Sequence, residues 1–230
     1  MKIFAISDLH LSLSKPKSMD VFGEHWQDHW EKIKDDWHKK VTADDIVLLP
    51  GDLSWAMNLK EAKPDIQAIC AMPGRKVLMR GNHDFWWSSL NKVNSLLDDT
   101  AFALQNNAYV FGDVAIAGAR GWLCPNERNF SEEDRKIYRR EVHRLKLSLN
   151  AAEKKRQEKP VIVMMHYPPF NEDRAPSGFT RLIDEYDVKK VVYGHLHAHS
   201  LNTAFEGELN GVIYELVSCD HLDFGLKQIY

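Results

Sequence analysis

The 230-residue sequence has only three cysteines. Cys70, Cys124 and Cys219 are odd in number, widely spaced and form no CxxC pair, which argues against a disulfide framework or a thiolate metal site and fits a reducing compartment. Charge of one sign is also missing. Thirty Lys and Arg stand against 33 Asp and Glu, a net charge of -3, without the basic excess expected of a general nucleic-acid binder. No apolar run approaches the ~20 residues of a membrane span, and the opening Met1 to Ile6 meets Asp8 too soon for a signal peptide's apolar region. No low-complexity tract or fixed-period repeat appears. The expectation is therefore a cytoplasmic globular protein, folded as one domain over residues 1–230.

What the sequence does contain is a series of short, β-branched apolar runs: Lys2 to Ile6, Ile46 to Leu49, Lys76 to Met79, Val161 to Met165 and Lys189 to Tyr193. Strand-length runs with little polar alternation indicate strands covered on both faces. Helix-like stretches lie around 24–40, 59–70, 87–97, 131–158 and 178–187, so βαβ units and an α/β fold are expected. Ser131 to Asp134 carries a capping-box signal for the long fourth helix. The stretches 101–119 and 203–230 predict antiparallel hairpins, with turns at Gln105-Asn106-Asn107 and Gly207-Glu208.

The chemistry is concentrated where the apolar runs stop. They end in Asp8-Leu9-His10, Gly51-Asp52, Gly81-Asn82-His83-Asp84, His166, and Gly194-His195-Leu196-His197. In open α/β sheets, ligands bind outside the carboxyl ends of strands, so these endings are predicted to converge. Each motif alone has an ordinary reading: a loop for Asp-X-His, a turn for Gly-Asp, a core imidazole for His166. Carboxylate, imidazole and amide donors without thiolate suit Mn, Fe, Zn or Ni better than Ca or Mg, and there are more donors than one catalytic ion takes from protein. Two divalent transition-metal ions are expected.

These motifs, in this order and spacing over residues 8 to 197, resemble the calcineurin-like metallophosphoesterases, particularly the small bacterial and archaeal phosphodiesterase-type members. The resemblance implies a four-layer α/β/β/α sandwich with two mixed β-sheets. It also implies that Asp8, His10 and His197 hold one ion, that Asn82, His166 and His195 hold the other, and that Asp52 bridges them. A hydroxide held between the ions would attack phosphorus in line, with His83 as general acid and Asp84 orienting it. Where the protein phosphatase branch carries a phosphate-binding arginine, this chain has Ala56, so a small phosphodiester of nucleotide-like kind is the expected substrate. A phosphomonoesterase, a nuclease or a non-catalytic protein-binding scaffold of the same fold are the alternatives.

Three further features bear on the substrate. Arg120, after an apolar run, is the candidate phosphate contact because guanidinium pairs bidentately with phosphate, although a surface-loop arginine reads the same way. Phe22, Trp26 and Trp30 recur every four residues, predicting one helix stripe that either packs onto the body or walls the site; Trp55 and Phe85-Trp86-Trp87 add aromatics beside the motifs. Residues 131–159 hold ten Lys or Arg against six Asp or Glu, which is by default a solvated face of helical ion pairs.

Overall fold

The computed structural model describes residues 1–126 and 130–230. Two compact units emerge, one comprising Met1–Ala103 and Val217–Tyr230, the other Leu104–Leu216. In chain order the first half supplies β1 (Ile3–Ala5), α1 (His29–Lys40), β2 (Ile46–Leu49), α2 (Leu59–Cys70), β3 (Arg75–Met79), α3 (Leu90–Asn94) and β4 (Ala101–Leu104). There follow β5 (Tyr109–Phe111), β6 (Val114–Ala119), α4 (Glu132–Arg156), β7 (Val161–Met165), α5 (Gly178–Ile183), β8 (Val188–Tyr193), β9 (Gly207–Leu209), β10 (Val212–Leu216) and β11 (Lys227–Gln228).

The first unit is built on a mixed sheet of order β11-β1-β2-β3-β4. β1, β2 and β3 run parallel, with Ile3 opposite Ile46 and Ile46 opposite Arg75, while β11 returns antiparallel beside β1. Every residue of β1 and β2 is buried, as their unbroken apolar runs predict. Helix α1 turns Trp30, Ile33 and Trp37 into the core, and α2 adds Ala62, Ile66 and Ile69 to the same cluster.

The second unit carries a mixed sheet of order β5-β6-β7-β8-β10-β9. Its four inner strands are parallel and its two edge strands antiparallel. Helix α4 begins at the predicted capping box: Ser131 Oγ accepts from the Asp134 amide at 3.1 Å, and Asp134 Oδ2 accepts from the Ser131 amide at 3.1 Å. Its Tyr138, Leu145, Leu149 and Ala152 enter the core of this unit. The fold is thus α/β with two mixed sheets flanked by helices, as expected. Among the described residues no helix is long and apolar enough to cross a membrane.

Three local expectations fail. The Phe22-Trp26-Trp30 stripe is not one helix, because Gln27 is extended (ψ 129°) and Asp28 left-handed (φ 54°), so α1 starts only at His29. Trp26 and Trp30 are core residues while Phe22 is exposed. Gln105-Asn106-Asn107 does not close a hairpin, since β4 and β5 belong to different sheets; the hairpin is β5-β6. Gly207 and Glu208 lie within β9, and the turn to β10 falls at Asn210-Gly211, whose φ values of 52° and 79° suit a tight two-residue hairpin turn.

Candidate active site

In the first unit the backbone beyond β1 and β2 stays paired after the regular strands end. Ile6 donates to Leu48 O at 3.1 Å, Asp8 to Gly51 O, His10 to Asp52 O and Leu11 to Leu53 O, each at 3.0 Å. This pairing carries Asp8 and His10 out of the sheet alongside Asp52. All three sit in the left-handed region, at φ 62°, 47° and 53°. Asp and His adopt it more readily than most residues, but the strain is characteristic of places where side-chain direction outweighs backbone comfort. All three are buried.

Asp52 is held against the loop after β3. Its Oδ1 accepts from the His83 amide at 2.8 Å, and its Oδ2 lies 3.8 Å from His10 Nε2. That separation is too long for a hydrogen bond and suits two donors directed at one cation. The close approach requires glycine at 81, because a Cβ there would lie 2.1 Å from Asp52 Oδ1. Asp8, His10 and Asp52 each belong to a group of carboxylate and imidazole side chains able to hold a metal ion. Buried carboxylates demand compensation of this kind.

Asp84, fully buried, brackets the same two loops. Its Oδ1 accepts from the amides of Leu53 (3.0 Å) and Ser54 (3.1 Å) and from Trp86 Nε1 (2.9 Å), and its Oδ2 from the Gly81 amide (2.8 Å). Burial pushes its carboxyl above the ordinary range against the pull of these donors. Its geometry fixes the backbone that presents Asp52, Asn82 and His83. Asn82 and His83 occupy the turn itself, each partly exposed.

Trp55 joins the candidate acid to a candidate ligand. Its ring stacks on His10 (centroids 4.6 Å apart, 21° between planes) and meets His83 at 4.6 Å, while the two imidazoles lie 5.7 Å apart. Lys17 Nζ sits 3.3 Å from the centroid of the same ring. Beneath these loops, fully buried Asp65 of α2 accepts from the Leu13 amide at 2.7 Å and from Ser54 Oγ. Sequence reasoning missed Lys17 and Asp65. For Lys17 there was no signal, but Asp65 is a carboxylate within the buried stripe Ala62, Ile66, Ile69 of an amphipathic helix. His29, with Nε2 2.9 Å from Leu9 O, is a packing histidine that burial holds below its ordinary pKa.

In the second unit, His166 follows β7 and is fully buried; its amide and that of Tyr167 donate to Arg120 O at 3.1 and 2.8 Å. His195 and His197 follow β8, His195 again left-handed at φ 74°. The His195 ring lies 5.1 Å from His166 and 4.1 Å from Tyr167. His166 and His197 also belong to groups able to hold a metal ion. Ser200 fixes His197 by accepting from its amide at 2.8 Å and donating to its carbonyl at 2.7 Å. Arg120 is engaged elsewhere: its Nη2 lies 3.3 Å from Glu141 Oε1, which also takes Arg144 Nη1 at 2.6 Å, and its guanidinium lies over Trp122.

The family described as "Calcineurin-like phosphoesterase" matches residues 1–199. No curated protein matches the chain. Among solved structures, a protein of unknown function, AQ665, from Aquifex aeolicus is similar over 99% of this chain and 95% of that chain, at 14% identity and a TM-score of 0.49.

Proposed function

The chain belongs to the calcineurin-like phosphoesterase family, and from that premise we propose that it is a dinuclear-metal-dependent phosphodiesterase, one functional domain over residues 1–230, working in the cytoplasm. Asp8, His10 and His197 would hold one divalent ion, Asn82, His166 and His195 the other, and Asp52 would bridge. The observation that carries this reading is Asp52, whose two oxygens face different partners, the His83 amide on one side and the His10 imidazole on the other. Bound ions would supply the positive charge that activates a water and neutralises the phosphoryl group. The N/O donor set suits Mn, Fe, Zn or Ni.

His83 gives its proton to the leaving oxygen. Asp52, accepting from the His83 amide, fixes where that imidazole starts from, and Trp55 limits how far its ring can swing. Asp84 acts through the backbone it braces. Ala56 supplies no phosphate-binding charge, which supports a small diester, nucleotide-like in charge and size, over a phosphoprotein. Arg135, Lys136 and Arg144 of α4 support a small substrate over a nucleic acid, because each pairs with a carboxylate three residues earlier.

The test is metal analysis of the purified protein with turnover of bis-p-nitrophenyl phosphate and p-nitrophenyl phosphate in added Mn. Diester turnover lost to a chelator and restored by metal is expected, as is loss of both metal and activity in Asp52→Asn. Monoester preference would reassign it as a phosphatase, and bound metal with no turnover would favour a scaffold.

A further inference from the structure

Beside Trp55, in the first unit alone, a cleft of roughly 170 Å³ is lined by Ser12, Lys15, Lys17, Trp55, Ala56 and Asp65, among others. Its two lysines are not equivalent. Lys15 is ion-paired with Glu61 at the start of α2. Lys17 is exposed, and among the described residues its ammonium meets no carboxylate, only the face of Trp55 at 3.3 Å. A cation–π contact at an exposed site contributes about 0.5–1 kcal/mol, weak enough for the ammonium to leave the ring for an anion.

The loop that presents Lys17 is a built one. Ser12 Oγ accepts from the Lys17 amide at 3.0 Å and lies 3.2 Å from its carbonyl, closing residues 12–17 on themselves. The Leu13 amide is tied at 2.7 Å to Asp65, which also receives Ser54 Oγ, and Ser54 Oγ in turn accepts from the Ala56 amide at 3.1 Å. Trp55 Nε1 reaches Met19 Sδ at 3.1 Å, and the Trp55 amide donates to Leu11 O at 2.9 Å. One buried carboxylate therefore sets the Lys17 loop against the loop that carries Trp55. That ring touches both His10 and His83, so the ammonium is delivered one aromatic ring away from a candidate ligand and the candidate acid. Ala56, lining the same cleft, leaves space there and no charge.

We propose that Lys17 is a specificity-determining residue that takes a non-bridging oxygen of the substrate's phosphoryl group, with Trp55 as its resting place when no anion is bound. This rests on the phosphoesterase reading above. It assigns the phosphate contact to the loop after β1, whereas Arg120 is held by Glu141.

Two measurements on the metal-loaded protein test it, with Lys17→Ala and Lys17→Arg compared to wild type: steady-state turnover of bis-p-nitrophenyl phosphate, and the affinity for inorganic phosphate by calorimetry. A charge-assisted hydrogen bond predicts that Lys17→Ala weakens phosphate binding and raises KM by about tenfold or more, with kcat within about twofold, and that Lys17→Arg recovers most of both. Unchanged phosphate affinity and KM in Lys17→Ala would overturn the inference, as would a fall in kcat alone or an arginine variant no better than alanine. If wild type hydrolyses no phosphoester yet binds phosphate in a Lys17-dependent way, the anion site stands and the catalytic reading falls. If wild type hydrolyses the diester and Lys17→Ala matches it, the reverse holds; if wild type neither hydrolyses nor binds, both fall.

Discussion

Asp52 fills the space that a side chain at residue 81 would need: a Cβ on Gly81 would lie 2.1 Å from Asp52 Oδ1 and 2.3 Å from the Asp52 amide nitrogen. Neither atom can yield easily, since Oδ1 is held by the His83 amide and the backbone beyond Asp52 by Asp84. Gly81→Ala should therefore displace the carboxylate proposed to bridge two ions. The expected result is loss of bound metal and of activity, with a stability cost of about 1–3 kcal/mol from overpacking. Metal analysis and a urea titration of the variant check both parts.

The same pair shows what the sequence could reveal. Gly81 and Asp52 were legible as strand endings, because a buried apolar run must stop where polar ligands begin, and β2, β3, β7 and β8 end within a residue or so of the predicted positions. The contact between them was not legible, since a glycine that makes room for a distant carboxylate looks the same as one that turns a loop. Trp55 is a similar case. Its place after Asp52 marks it only as an aromatic beside the motif, whereas the stacking on His10 and the cation from Lys17 depend on hydrogen bonds from Leu13 and Ser54 to Asp65 on another element. Four-residue spacing suggested one helix through Phe22, Trp26 and Trp30, because spacing alone does not record the left-handed Asp28 that interrupts it. Nor does a polar turn at 105–107 record that the strands on either side join different sheets.

Lys76 is 1% exposed, and its ammonium donates to the carbonyls of Cys70, Met72 and Gly74, each at 2.8 Å, and to Thr100 Oγ1 at 2.6 Å. It closes the carboxyl end of α2 onto the start of β3, away from the candidate ligands. Lys76→Met keeps the apolar stem but leaves three carbonyls without this donor. A loss of about 3 kcal/mol is expected, read as a fall in Tm of roughly 6–12 °C. Metal content and the KM for a diester, measured well below the new Tm, should match wild type.

His29 links pH to the stability of the first unit. Burial lowers its pKa most, and Lys32 lowers it further, while the carbonyls of Leu9 and Trp26 and the Asp28 carboxylate oppose them; its other close neighbours, the rings of Trp26 and Phe224, carry no charge. Because the folded pKa lies below the unfolded value near 6.5, the unfolded chain takes up the proton first as pH falls. Above about pH 6.5 both states are neutral and the group costs nothing. Through the window below, down to the depressed folded value, stability declines. His29→Gln keeps an N–H for the Leu9 carbonyl and removes the titration. Urea midpoints for wild type and variant, both metal-free so that the remaining histidines contribute equally, should diverge between pH 7 and pH 5, with wild type falling more steeply. Parallel pH profiles would mean that His29 is not desolvated in the folded protein.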